Sequence, residues 1–189
     1  MVDAENALGP ERVQPGDIVI AMASSGLHSN GFSLVRHIID APGSGLDLAA
    51  EPAGLGRALG EELLTPTRIY ARDCLALAAG TQVRAIAHIT GGGLAANLAR
   101  VLPPHADAIV DRASWRPAPV FGLLASRGGV TSADAEGVFN MGVGMAAIVA
   151  AADADAALSL LAARNVPAWV AGRVTAGTGT VRLDGQHPA

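Results

Sequence analysis

The sequence predicts an α/β (α+β) fold in which a mixed β-sheet carries helices packed on its faces. Short apolar runs, typical of buried strands, alternate along the chain with segments that have helical spacing of apolar residues. The alternation is not made of clean strand–helix–strand units, and two strands follow each other near the end, so mixed pairing is expected. Half of the 189 residues are hydrophobic but only 3% are aromatic, so Ala, Val, Leu and Ile must build the core.

Each element follows from a local pattern. Strands are predicted, in chain order, at residues 17–23, 83–89, 106–111, 144–150, 168–175 and 181–183. Helices are predicted at residues 32–40, 55–64, 68–79, 94–101, 120–126, 132–139 and 153–164. Thr65 or Thr67 is the expected cap of the helix at 68–79. The stretch 42–52 is rich in Gly and Pro and is expected to be a surface loop.

Length and composition indicate one domain. We expect a lead-in or interdomain linker at 1–16, the domain at 17–183 and a loose tail at 184–189. The net charge of −4 argues against general binding of nucleic acid or acidic lipid. With Cys74 as the sole cysteine, no internal disulfide forms. The most apolar segment, 145–163, contains two aspartates and does not predict a membrane span. These features indicate a cytoplasmic protein.

Three glycine-rich loops lie where a strand meets a helix. We call the segments 24–31, 88–93 and 140–144 the first, second and third glycine loops. Glycine lets the backbone turn sharply and leaves amide groups uncovered, and such amides at a helix start attract phosphate. Three such loops in one domain favour a site for a phosphorylated ligand.

Several side chains in these loops are candidates for chemistry, each with a structural alternative. His28 is either a proton donor or anion partner, or an exposed turn residue. Ser29 and Asn30 either donate to phosphate or cap the following helix. His88 ends a strand at the edge where α/β sheets bind ligands, or is a satisfied core histidine. The glycines at 91–93 allow the close approach of a ligand or of another strand. The side-chain amide of Asn140 binds either a ligand or the backbone of its own turn.

Five segments, taken together, resemble the phosphoribosylformylglycinamidine cyclo-ligase (aminoimidazole ribonucleotide synthetase, PurM) family. They are SSGLHSNGFSL at 24–34, LTPTRIY at 64–70, AHITGGGL at 87–94, FNMGVGM at 139–145 and AWVAGRV at 168–174. The resemblance covers residues 16–183 and only the second of the family's two domains. It implies the sandwich fold of that carboxy-terminal domain. The family's amino-terminal domain, with most of the groups that bind ATP and metal and most of the dimer interface, has no counterpart in the sequence.

The resemblance implies a function in purine biosynthesis, the ATP-dependent ring closure of formylglycinamidine ribonucleotide, with the isolated domain inactive alone. It implies catalytic roles for His28 and His88 and no metal site in this half. ATP and Mg²⁺ are expected to bind mainly to the amino-terminal domain, in a homodimer of the full-length protein. The implied substrate-binding residues are Ser25, Gly26, Leu27, Ser29, Asn30, Gly31, Thr90, Gly91, Gly92, Gly93, Asn140 and Gly142. The alternative is a non-catalytic phosphate- or nucleotide-binding domain of the selenophosphate synthetase or thiamin-monophosphate kinase type.

Overall fold

A computed structural model describes residues 7–188, and within that range six strands form one mixed sheet. The strands are β1 (Ile18–Ala23), β2 (Val83–His88), β3 (Ala106–Asp111), β4 (Val143–Val149), β5 (Ala168–Ala176) and β6 (Val181–Asp184). Their order across the sheet is β2-β4-β1-β5-β3-β6. The neighbours pair antiparallel except β3 and β6, which pair parallel. The predicted mixed sheet is therefore confirmed.

The helices follow the predicted order. The first has the predicted bounds, the fifth is longer than predicted, and the other five are shorter. They are α1 (Phe32–Asp40), α2 (Leu59–Leu63), α3 (Ala71–Gly80), α4 (Gly93–Ala99), α5 (Pro119–Gly128), α6 (Ser132–Val138) and α7 (Ala154–Ala163). Short 3-10 turns occupy Pro10–Arg12, Arg112–Ser114 and Ala151–Asp153.

Two predicted helix starts were wrong. The helix expected from residue 55 begins only at Leu59, because Gly54 and Gly56 adopt positive φ angles of 88° and 69° that end regular helix. The helix expected from residue 68 begins at Ala71, and the capping position is Tyr70 without a side-chain cap, so neither Thr65 nor Thr67 caps it.

Successive side chains of the central strands point to opposite faces of the sheet, so each face has its own buried cluster. On β1, Val19 and Ala21 belong to one buried cluster, whereas Ile20 and Met22 belong to the other. Helix α4 contributes Leu94 and Leu98 to the first cluster, and α3 and α7 contribute to the second. The predicted packing of helices on the sheet faces is therefore confirmed. A third cluster, built by α1, α5 and α6, was not predicted.

Both terminal segments pack on the domain where the structure describes them. Val13, in the predicted lead-in, is 1% exposed within the first core cluster, and the amide of Gly9 donates to the carbonyl of Arg84. In the tail that was expected to be loose, the ring of His187 packs edge-on against Trp115, with centroids 4.5 Å apart. Residues 1–6 and 189 lie outside the described range, and the boundaries at 16 and 183 stay a prediction. No helix in residues 7–188 is long and apolar enough to cross a membrane.

Candidate functional site

The three glycine loops, far apart in the sequence, meet at one end of the central strands. The amide of Ser24 in the first loop donates to the carbonyl of Gly142 in the third, at 2.8 Å. The amide of Ile89 in the second loop donates to the carbonyl of Gly144 in the third, at 3.0 Å. The third loop thus joins the other two, and the structure brings the three glycine-rich segments into one site.

The histidines of the first and second loops border one cavity. This space, which we call the histidine cavity, has a volume of about 290 Å³ and is lined by His28, Ser29, Asn30, Thr67, His88 and Thr90. His88 is exposed at the end of β2, whereas His28 is 5% exposed. The site therefore combines two unlike imidazoles with the hydroxyl groups of Ser29, Thr67 and Thr90.

A second cavity adjoins the first at the start of α1. This helix-start cavity has a volume of about 520 Å³, and its wall includes His28, Ser29, Gly31, Phe32, Ser33, Arg36, Leu63, Leu64, Thr65 and Thr67. The capping position of α1 is Gly31, which has φ +84° and supplies no side-chain cap. The first-turn amides of α1 and the exposed guanidinium of Arg36 give this cavity a positive character. Neither Ser29 nor Asn30 caps the helix. Asn30 donates its side-chain amide to the carbonyl of Val138.

His28 is held firmly by its own loop. Its backbone has φ +59°, a left-handed conformation that is uncommon for a residue other than glycine. The amide of Ser25 donates to its Nε2 at 3.1 Å, and the Ser25 hydroxyl lies 3.2 Å from the same atom. Burial, followed by the charge of nearby His88, lowers the pKa of His28. His28 is therefore neutral near pH 7.

Tyr70 lies behind His28 and closes the site toward the sheet. Its hydroxyl donates to the carbonyl of Ala23 at 2.6 Å, and its ring centroid lies 6.2 Å from that of His28. Burial raises the pKa of Tyr70, so its hydroxyl stays protonated. A Cβ atom on Gly144 would lie 2.0 Å from the Tyr70 hydroxyl and 2.9 Å from His28 Cε1. Glycine at this position of β4 is what lets both rings approach the strand.

Asn140 supports the loops from within. It is fully buried, and its side-chain amide donates to the carbonyls of Gly26 and Leu27 at 2.9 and 3.1 Å. Its side-chain oxygen accepts from the amide of Gly142 and the hydroxyl of Ser24. Both amide hydrogens are used within the protein and the side chain is fully buried, so Asn140 positions the first loop.

The glycines of the second loop differ in role. A Cβ atom on Gly93 would lie 1.7 Å from the carbonyl oxygen of Glu136, so this glycine serves the contact between α4 and α6. The amides of Gly92 and Gly93 donate to the carbonyls of Gly137 and Thr90. Gly91 is exposed, with open space where a Cβ would stand. The close approach expected at the triplet is thus made by a helix at Gly93, whereas Gly91 borders open space.

The remaining predicted binding residues lie away from the histidine cavity. Leu27 is 4% exposed and belongs to the core shared by α1, α5 and α6. Ser25, Gly26 and Gly142 border a separate cavity of about 270 Å³ on the other side of the first loop, beside Trp115 and Trp169. The predicted residues therefore line two sides of the loop.

Sequence reasoning missed four residues that shape the site: Thr67, Arg36, Tyr70 and Asn97. Asn97 is 3% exposed and donates its side-chain amide to the carbonyl of Gly93 at 2.7 Å, which fixes the second loop. Arg36 lies one helical turn beyond the start of α1, and that spacing was the signal available for it. Thr67 and Tyr70 lie within the LTPTRIY segment, although no local pattern there indicates a contact with the first loop.

Comparison with known proteins identifies the family. The family described as AIR synthase related protein, C-terminal domain, matches residues 14–184. The chain belongs to this family. A Streptomyces fradiae protein provisionally named phosphoribosylformylglycinamidine cyclo-ligase is 60% identical over 163 residues, which are 86% of this chain and 89% of that protein. The resemblance noted in the sequence is therefore confirmed for this AIR synthase C-terminal domain.

Longer relatives show how much of a complete protein this domain represents. The phosphoribosylformylglycinamidine cyclo-ligases of Paraburkholderia phymatum and Myxococcus xanthus are 45% and 44% identical. The alignments cover 92% and 95% of this chain but 48% and 52% of those proteins. The chain thus spans about half the length of these curated relatives.

Solved structures share the fold at low sequence identity. The thiamine-monophosphate kinase of Stenotrophomonas maltophilia aligns with a TM-score of 0.65 and 22% identity, over 99% of this chain and 56% of that one. The hydrogenase maturation protein HypE of E. coli aligns with a TM-score of 0.59 and 18% identity, over 95% and 49%. These similarities show that this domain shares its fold with both proteins.

Proposed function

We propose that this chain is the carboxy-terminal, substrate-binding half of a phosphoribosylformylglycinamidine cyclo-ligase. In this proposal it binds formylglycinamidine ribonucleotide and acts with an amino-terminal half of the kind present in its longer relatives. The names of the relatives in three bacterial species support the activity, and their greater length supports the need for a second half. The reaction belongs to purine biosynthesis.

The observation that carries the proposal is the junction of the two cavities. His28, Ser29 and Thr67 line both, so one extended ligand can occupy the histidine cavity and the helix-start cavity together. The uncapped start of α1 and the guanidinium of Arg36 suit the phosphate of the ribonucleotide. The formylglycinamidine end then lies between His28 and His88, beside Thr90.

The proposed chemistry is a ring closure driven by phosphoryl transfer. ATP phosphorylates the formyl oxygen, the neighbouring nitrogen forms a bond to the formyl carbon, and the carbon–oxygen bond breaks with loss of phosphate. The attacking nitrogen loses a proton, for which exposed His88 is the acceptor. His28, neutral and buried beside it, interacts with a ligand oxygen. The domain's contribution is mainly to hold the reacting groups together.

ATP and Mg²⁺ are assigned in this proposal to the amino-terminal half. Among residues 7–188 no group of three His, Cys, Asp or Glu side chains is arranged to hold a metal ion. The sequence also contains no lysine, the point charge often used to bind nucleotide phosphates. A structure of the hydrogenase maturation protein HypE in complex with ATP shares the fold at 21% identity.

The wider setting follows from the same proposal. The complete protein is a cytoplasmic homodimer that binds neither nucleic acid nor membrane, in keeping with the net charge of −4. The alternative, a nucleotide-binding domain of the selenophosphate synthetase or thiamin-monophosphate kinase type, is less favoured. Its support is structural similarity at 22% identity, whereas the relatives at 44–60% identity are cyclo-ligases.

Calorimetric titration with formylglycinamidine ribonucleotide tests the binding function directly. We expect the 189-residue chain to bind the ribonucleotide, to hydrolyse no ATP and to close no ring. Addition of a separately produced amino-terminal half from a relative is expected to restore ring closure. A chain that gives no binding heat, or that alone turns over like a complete enzyme, contradicts the proposal.

A further inference from the structure

The ring of His28 accepts a hydrogen bond from a backbone amide, a group that can act only as a donor. The backbone amide of Ser25 donates to His28 Nε2 at 3.1 Å. A backbone amide carries a proton and no acceptor lone pair, so the atom it meets must supply the lone pair. Nε2 therefore carries no proton in this arrangement.

The hydroxyl of Ser25 does not change this assignment. Ser25 Oγ lies 3.2 Å from Nε2, but it donates to the carbonyl of Pro66 at 2.7 Å. It also accepts the amide proton of Arg68 at 3.1 Å. The hydroxyl proton of Ser25 is thus used in the bond to Pro66. The backbone amide of Ser25 alone determines which nitrogen of the His28 ring is protonated.

With Nε2 unprotonated, a neutral imidazole carries its hydrogen on Nδ1. Among residues 7–188, Nδ1 of His28 is buried without a hydrogen-bond partner. The hydroxyl of Tyr70, whose ring packs against that of His28, donates to the carbonyl of Ala23 instead. A buried donor without an acceptor costs about 1–3 kcal/mol, a cost that a ligand acceptor would remove.

We propose that Ser25 is a positioning residue that holds His28 as the neutral Nδ1–H tautomer, and that this N–H donates to an acceptor oxygen of the bound ligand. The inference rests on the proposed function, because the ligand oxygen belongs to the phosphorylated ribonucleotide. His28 then acts as a hydrogen-bond donor throughout, and proton transfer falls to His88. His28 forms part of the wall of both cavities.

Nitrogen NMR of the ¹⁵N-labelled 189-residue chain at a pH above 7 measures the tautomer without any ligand. The His28 signals are assigned by their loss in His28→Asn. We expect a protonated, pyrrole-type Nδ1 and an unprotonated, pyridine-type Nε2. We also expect Ser25→Ala to keep this pattern, because the backbone amide remains. A protonated Nε2, averaged signals from both tautomers, or a pattern that changes in Ser25→Ala would each overturn the inference.

Titration with ribose 5-phosphate, followed in the same spectra, tests the donor role. We expect the Nδ1–H signal of His28 to shift on binding while Nε2 stays unprotonated. Binding accompanied by protonation of Nε2 overturns the inference and leaves the proposed function intact. Absence of binding contradicts the proposed function and the donor role together, while the tautomer of the free chain remains a separate result.

Discussion

Tyr70 and Gly144 are in direct contact, so that any side chain at position 144 would occupy the space of the tyrosine hydroxyl. A Cβ atom there would lie 2.0 Å from that oxygen. The hydroxyl is in turn bonded to the carbonyl of Ala23, at the end of β1. The contact therefore links the third glycine loop to the start of the first, and it sets how closely the ring of His28 approaches the sheet.

Substitution Gly144→Ala is expected to destabilise the chain by about 1–3 kcal/mol, because Tyr70 must leave its place and lose its hydrogen bond. The measurement is the free energy of unfolding from urea denaturation. Gly122→Ala is the matched control, since Gly122 lies within α5 with open space around a Cβ. That control should be neutral or stabilising by about 0.5–1 kcal/mol. Equal stability of the two variants would contradict the contact.

Two alanine substitutions in the second glycine loop test different roles. Gly93→Ala tests packing between helices, and Gly91→Ala tests the approach of a ligand. The Gly93 Cβ would lie 1.7 Å from the Glu136 carbonyl oxygen, and its φ of +70° adds a cost of about 1 kcal/mol for alanine. We expect Gly93→Ala to lose more than about 2 kcal/mol of unfolding free energy. Gly91→Ala should fold normally, because a Cβ there meets open space, and should weaken binding of formylglycinamidine ribonucleotide, measured by calorimetry. A stable Gly93→Ala variant would contradict the assigned packing role.

The sequence predicts that the glycine loops lie at one site, but it does not predict the role of each residue in that site. Alternating apolar runs and glycine turns were enough to anticipate the mixed sheet and the shared site of His28 and His88. A glycine that admits a ligand, such as Gly91, looks the same in sequence as one that admits a helix, such as Gly93. The difference arises from Glu136, more than forty residues away, and a contact at that separation leaves no local pattern.

Asn140→Asp tests the internal bonding of the first loop. The substitution keeps the shape of the side chain but replaces a donor with a carboxylate oxygen that faces the carbonyls of Gly26 and Leu27. A buried carboxylate with one oxygen directed at two carbonyl oxygens is expected to cost about 3 kcal/mol or more in unfolding free energy. Asn30→Asp is the matched comparison, because Asn30 makes one such bond and is half-buried. A smaller loss at Asn140 than at Asn30 would contradict the supporting role.

The lowered pKa of His28 predicts how stability depends on pH. The folded chain binds a proton at His28 less readily than the unfolded chain, in which histidine has a pKa of about 6.5. The unfolded state thus takes up more protons as the pH falls below about 6.5, and stability decreases there. In His28→Asn this part of the decrease should vanish, and asparagine tolerates the left-handed backbone at this position. Unfolding free energies of both proteins at about pH 8 and about pH 5.5 give the comparison. An identical loss in both would contradict the assignment.

Arg36→Ala tests the phosphate end of the proposed site. Arg36 is exposed on α1 and lines the helix-start cavity with Ser29 and Ser33, beside the uncapped first turn of the helix. Because the guanidinium is solvated, its loss should weaken ribose 5-phosphate binding by about tenfold, equivalent to about 1.4 kcal/mol. Arg182→Ala is the control, since Arg182 is also exposed but lies on β6, where it pairs with Asp184. It removes the same net charge, so a general electrostatic effect would lower both affinities equally, whereas a phosphate site at α1 requires a loss in Arg36→Ala alone. The binding constants of the three proteins, measured at one salt concentration, distinguish these outcomes.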